Sequence, residues 1–196
     1  MASKTNDVRV LTVGCGNMGS SHATAYHNLE GFRICGIVSR GKSKEALNKK
    51  LGGGYELFDD FDTALDKTRP DAVSISTWPD THESMAIKAL ERGCHVFIEK
   101  PLADSVEGAE RVVKAANRAG KKLVVGYILR HHPSWERFIE VAQTLGKPLV
   151  MRMNLNQQSS ASMWTLHRNL MKSLSPIVDC GVHYIDVMCQ MVRSRP

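Results

Sequence analysis

The sequence predicts an α/β protein: a doubly wound parallel sheet with helices on both faces, followed by the beginning of a second, incomplete α+β domain. Three observations lead there. Short apolar runs alternate with amphipathic stretches over the first 145 residues, the βαβα rhythm of a parallel sheet. Most of those runs are apolar nearly throughout, as expected of strands covered on both faces. After Gly146 the rhythm stops and a longer, partly alternating run begins.

Strands are predicted at residues 8–13, 32–38, 55–58, 72–76, 95–98 and 123–127. Helices are predicted between and after them, at 18–29, 44–51, 61–67, 81–92, 106–119 and 134–145. Helix-start chemistry supports several: Asp60 before the third, Asp80 before the fourth, Asp104 or Ser105 before the fifth, and Pro133-Ser134 before the sixth. Gly93 and Gly120 stand where helices should end. Domain boundaries follow at 1–128 for the parallel sheet and 129–196 for a linking helix and partial second domain. In the latter, 149–157 (LVMRMNLNQ) reads as one strand, 158–162 as a polar connection and 177–191 as a helix. One strand and one helix cannot enclose a core alone, so the chain is expected to be C-terminally truncated.

Composition narrows the class. The chain is 42% hydrophobic and 23% charged, which excludes collagen-like and disordered proteins. No apolar run approaches the roughly 18 residues of a membrane span, and the N-terminus has no signal-peptide core. Cys15, Cys35, Cys94, Cys180 and Cys189 form no CxxC pair, so they read as thiols of a cytoplasmic protein rather than zinc ligands or disulfides. The net charge of +6 has no basic run longer than two residues, and a nucleic-acid partner is not expected.

The strongest local signal is Gly14-Cys15-Gly16-Asn17-Met18-Gly19, after an apolar strand and at the start of a helix. Gly14 would make the turn, Gly16 would admit a pyrophosphate to the backbone, and Gly19 would let helix and strand pack closely. The helix N–H groups would then face the anion. The plainer alternative is an ordinary strand–turn–helix bend. Twenty residues on, the ribose-reading position falls at Ser39, followed by Arg40, Lys42, Ser43 and Lys44, with no carboxylate between Glu30 and Glu45. A hydroxyl beside a guanidinium suits a 2′-phosphate, so NADP is favoured over NAD.

Further loops fall at the C-terminal edge of the sheet, where open α/β folds bind ligands. Ser76, Thr77, Trp78 and Pro79 follow the fourth strand; His82 follows them as a cofactor contact or as a capping and packing residue. Glu99, Lys100 and Pro101 follow the fifth strand. Tyr127, Arg130, His131 and His132 follow the sixth.

With those loops in view, GCGNMG, STWPDTH, EKP and Asp179-x-Gly181-x-His183-x-x-Asp186 together resemble the Gfo/Idh/MocA family of NAD(P)-dependent oxidoreductases. The resemblance runs to about Met191. It implies a Rossmann fold followed by a substrate domain, hydride transfer on sugars, sugar derivatives or inositols, and a cis Lys100–Pro101 bond. It further implies that Lys100, Asp179 and His183 are catalytic. Spacings of four and three put Asp179, His183 and Asp186 near one face of a helix. An imidazole there suits proton transfer, while Asp186 can orient or cap. Tyr127, Arg130, Trp164 and Arg168, with His167, are expected to touch substrate. Domain packing is the alternative for Trp164, His167 and Arg168. Where family members usually carry an aromatic residue beside the arginine, this chain has His131.

A metal is not expected, since hydride transfer needs none. The resemblance leaves two other readings open: a catalytically silent NAD(P)-binding regulator or sensor, and an NAD-dependent glycosidase. It also implies a homo-oligomer for a complete chain.

Overall fold

The computed structural model describes residues 7–147, 149–154, 161–172 and 174–194. It divides into two compact units, Met1–Gly126 and Tyr127–Pro196.

The first unit is a six-stranded parallel sheet, β1 (Val8–Val13), β2 (Phe32–Val38), β3 (Leu57–Phe58), β4 (Ala72–Ile75), β5 (His95–Ile98) and β6 (Leu123–Val125), in the order β3-β2-β1-β4-β5-β6. That order reverses direction between β1 and β4, the crevice where doubly wound folds take ligands. The expected doubly wound sheet is present. Five helices connect the strands: α1 (Asn17–Asn28), α2 (Ser43–Lys50), α3 (Phe61–Thr68), α4 (Pro79–Glu91) and α5 (Val106–Ala119). Ala23 of α1 and Leu47 of α2 cluster with Ile34 and Ile37. The larger cluster joins Leu11, Val13, Val73 and Ile75 to Leu65 of α3, Leu90 of α4 and Val112 of α5. Leu11, Ile37, Ile75 and Leu90 are fully buried, each contributing about 1.5–3 kcal/mol of apolar transfer energy.

The helix boundaries follow local chemistry. Asp60 accepts from Thr63 N–H at 2.7 Å and caps α3; Ser105 accepts from Gly108 N–H at 3.1 Å and caps α5. Gly120 closes α5 at φ 63°, where a side chain would be strained. Other boundaries differ from expectation; α6, for one, begins at Pro133 with His132 as its cap. Trp78, not Asp80, caps α4, because Pro79 at the first helical position already fixes a helical φ. β3 is shorter than expected because Tyr55 N–H is taken by the Asn48 side chain at 3.1 Å instead of a ladder carbonyl.

In the second unit, α6 (Pro133–Thr144), α7 (Ala161–Leu170) and α8 (Val182–Val192) are helical. Ile139 and Ala142 of α6 pack with Val187 and Met191 of α8, and with Leu129, Trp135 and Met151. The strand expected over 149–157 is not found at 149–154; residues 155–157 lie outside the described residues. A strand exists by pairing, and no described residue pairs with this segment. Residues 161 and 162 of the expected polar connection belong to α7, and 158–160 lie outside the described residues. Among the described residues no helix is long and apolar enough to cross a membrane.

Candidate functional site

The glycine turn is built by close packing. Gly14 has φ +92°, and a Cβ there would overlap the Ser76 carbonyl; one on Gly19 would overlap the Gly14 carbonyl. Neither residue can carry a side chain without backbone movement. Gly16 is different: a Cβ there would meet nothing within 4 Å. It caps α1 without a side-chain hydrogen bond, and the first turn of α1 holds no acidic residue. Gly16, Asn17 and Met18 are exposed, while Cys15 is half-buried. Burial pushes the Cys15 thiol up in pKa, leaving it a poor nucleophile. An uncapped helix start above an open glycine is a cradle for an anion.

Beside it, the Ser76 hydroxyl oxygen is buried with no hydrogen-bond partner among the described residues. Thr77 Oγ1 lies 2.7 Å from Thr81 Oγ1, and Thr81 Oγ1 donates to the Trp78 carbonyl at 2.8 Å. These bonds fix the loop while leaving the Trp78 ring half exposed. The open approach at Gly16, the tight packing of Gly14 and Gly19, and the orphaned Ser76 hydroxyl together fit the diphosphate and ribose of a dinucleotide.

At the end of β2, Ser39 Oγ lies 2.8 Å from Ser43 Oγ. Arg40 and Lys42 are exposed. Lys44 is not available to a ligand: it is buried, donating to Asp59 and to the Gly41 carbonyl, both at 2.7 Å. The Asp59 bond raises its pKa. The basic cluster read from the sequence therefore reduces to Arg40 and Lys42 beside two hydroxyls.

Glu99, Lys100 and Pro101 follow β5 on the same edge, and the Lys100–Pro101 peptide is cis. The Glu99 carboxylate is buried, 2.6 Å from His22 Nε2, and accepts the Lys100 N–H at 3.3 Å. His82 corrects an expectation. Its side chain is fully buried, with Nδ1 2.7 Å from the Pro101 carbonyl and Nε2 3.2 Å from the Thr77 carbonyl. Enclosed between two carbonyls, it holds loops and does not face a cofactor. Burial pushes its pKa down.

The second unit holds its own cluster. Arg130 pairs with Asp186 through two bonds, Nε–Oδ2 at 2.8 Å and a second from the terminal nitrogen to Oδ1. Gln190 donates to Asp186 Oδ2 at 2.9 Å. The guanidinium also lies over the Tyr127 ring, 5.3 Å from its centre. Tyr127 meets His183 edge-on at 6.2 Å. Burial and then Asp186 raise the Tyr127 pKa, and the Asp186 bond raises that of Arg130.

His183 is on α8, but Asp179 stands on the π-helical turn Ile177–Gly181 that precedes it. The wider π turn changes the angular step between them, so the regular helical spacing read from the sequence does not apply. Trp164 and Arg168 lie four residues apart on α7, both exposed. Among the described residues no group of three His, Cys, Asp or Glu could hold a metal ion.

The parallel sheet, its switch point and the glycine turn define a dinucleotide-binding α/β unit. Residues 8–127 match the oxidoreductase family GFO_IDH_MocA, NAD-binding Rossmann fold, and the chain belongs to that family. It is 30% identical to an inositol 2-dehydrogenase of Paracoccus denitrificans, over 92% of this chain and 53% of that protein. It is 29% identical to a 4-carboxy-2-hydroxymuconate-6-semialdehyde dehydrogenase of Sphingobium, over 82% of this chain and 54% of that protein. The chain thus spans about half the length of the curated relatives it matches. Among solved structures, the WlbA dehydrogenase of Bordetella pertussis, in complex with NADH and UDP-GlcNAcA, superposes with a TM-score of 0.82 at 23% identity. That match covers 95% of this chain and 58% of WlbA.

Proposed function

We propose that this protein is an oxidoreductase transferring a hydride between NADP(H) or NAD(H) and a hydroxyl or carbonyl carbon of a sugar, sugar derivative or inositol. One observation carries the reading: Lys100 follows a buried Glu99 on the same sheet edge as a glycine turn that leaves space only at Gly16. The inositol dehydrogenase relative supports the substrate class.

The turn formed by Gly14, Cys15, Gly16, Asn17, Met18 and Gly19 receives the diphosphate, with the N–H groups at the start of α1 facing it and Ser76 donating its hydroxyl. Ser39 and Arg40 receive the adenosine ribose, and a 2′-phosphate there gains charge-assisted bonds from Arg40; this is the basis for preferring NADP. Thr77, Trp78, Glu99, Lys100 and Pro101 border the nicotinamide. When bound, the nicotinamide supplies the hydride chemistry, and the protein supplies position and electrostatics.

In oxidation, a His183 ring nitrogen takes the hydroxyl proton as the carbon–hydrogen bond breaks. The Lys100 ammonium stabilises the negative charge that develops on oxygen. In reduction the same groups act in reverse: Lys100 polarises the carbonyl and His183 returns the proton. Asp179 assists His183 as its acidic partner. Tyr127 and Arg130 contact substrate, joined by Trp164 and Arg168. The protein works in the cytoplasm, and a chain of its relatives' full length would work as a homo-oligomer.

The test is absorbance at 340 nm with a panel of inositols, sugars and sugar phosphates. Turnover that disappears in Lys100→Ala supports the enzyme. Tight cofactor binding without turnover on any substrate supports a regulator instead.

A further inference from the structure

Lys100 lies between two residues that are each tied to a different helix. On its N-terminal side, Glu99 is 7% exposed, and its carboxylate meets His22 Nε2 at 2.6 Å. His22 belongs to α1, six residues after Gly16. Its ring is fixed in turn by Phe97, edge-on at 4.7 Å. The space for this carboxylate is made by Gly126, where a Cβ would lie 3.2 Å from both Glu99 oxygens. The second Glu99 oxygen accepts the Lys100 N–H at 3.3 Å.

On the C-terminal side, the Pro101 carbonyl lies 2.7 Å from His82 Nδ1. His82 is on α4, fully buried, and its other nitrogen lies 3.2 Å from the Thr77 carbonyl. A lysine side chain is long and flexible, so fixing its amine depends on fixing its backbone. Here both neighbours are held by imidazoles from two different helices, a half-buried one on α1 and a fully buried one on α4.

We propose that His22 and His82 are positioning residues that brace Lys100, His22 through Glu99 and His82 through Pro101. His22 adds a second consequence. α1 carries the glycine turn at its start and His22 in its second turn, so one rigid helix ties the diphosphate site to Lys100. This inference rests on the catalytic reading of Lys100.

The hydrogen-bonding atoms dictate the variants. The Gln amide nitrogen can stand in for His22 Nε2, and the Asn amide nitrogen for His82 Nδ1. Breaking variants are therefore His22→Ala and His82→Ala, and rescuing variants His22→Gln and His82→Asn. Two readouts are taken on the full chain. The first is turnover: the breaking variants lose about 10- to 100-fold in kcat, the scale of a misplaced catalytic group, with cofactor KM within about twofold; the rescuing variants recover most of it.

The second readout needs no turnover. Lysines are reductively methylated with a carbon-13 label, and the Lys100 resonance is assigned with Lys100→Arg. The resonance shifts in each breaking variant and returns in each rescuing one, while other lysine resonances stay in place. An unmoved Lys100 resonance in both breaking variants overturns the brace, even if Lys100 is catalytic. Turnover that survives in Lys100→Ala overturns the catalytic reading, while the resonance still decides the brace.

Discussion

Arg130 grips Asp186 across 56 residues of sequence, with Gln190 on the same carboxylate and the Tyr127 ring beneath the guanidinium. The Asp186 side chain is only 11% exposed, so removing the arginine strands a mostly buried charge. Arg130→Met is expected to lower unfolding free energy by about 1–3 kcal/mol. Adding Asp186→Leu should recover part of that loss, giving a coupling of about 0.5–3 kcal/mol in a double-mutant cycle by urea unfolding. Additive losses would show that the pair contributes nothing.

Gly19 and Gly16 should answer differently to the same substitution. A methyl group on Gly19 collides with the Gly14 backbone, and Gly19→Ala should cost about 1–3 kcal/mol, as overpacking does. Gly16→Ala enters open space and should change stability by no more than about 0.5 kcal/mol. Thermal melts without cofactor check both.

Cofactor preference should reside in Arg40. Replacing it with alanine removes the guanidinium next in sequence to Ser39, whose hydroxyl pairs with that of Ser43. NADPH affinity should fall about tenfold or more, the value of a charge-assisted bond, with NADH affinity unchanged. Fluorescence titration with each nucleotide distinguishes this from equal losses, which would place the 2′-phosphate elsewhere.

Stability should depend on pH through His82. Burial holds its folded pKa below the ordinary 6.5, so the unfolded chain binds the extra proton. Stability then rises with pH in the window between the two values. The His82 contribution is complete above the unfolded value and is lost progressively as pH falls below it. Melting temperatures from pH 8 to 5 should decline for the wild type more steeply than for His82→Asn, which cannot titrate. Parallel curves would refute this.

Much of this architecture was legible because it is local. β1, β2 and β5 occupy the residues that the apolar runs indicate, and the glycine turn and the caps at Asp60 and Ser105 are where short-range chemistry places them. What escaped depends on distant partners. His22 contacts Glu99 from 77 residues away, and nothing in either segment announces the other. His82 resembles an exposed helix-start residue until Pro101 and Thr77 close over it. Lys44 reads as a free cation until Asp59 claims it. Alternation at 149–154 mimics a strand, but alternation cannot supply a ladder partner. The π turn beneath Asp179 has no sequence signature in its residues.

The account turns on Gly16. Calorimetric titration of the wild type and Gly16→Val with NADPH and NADH measures it directly. The expected result is one-to-one binding by the wild type, tighter for NADPH, and loss of both in Gly16→Val at an unchanged melting temperature. Binding that persists in Gly16→Val, or a properly folded wild type that binds neither nucleotide, would contradict it.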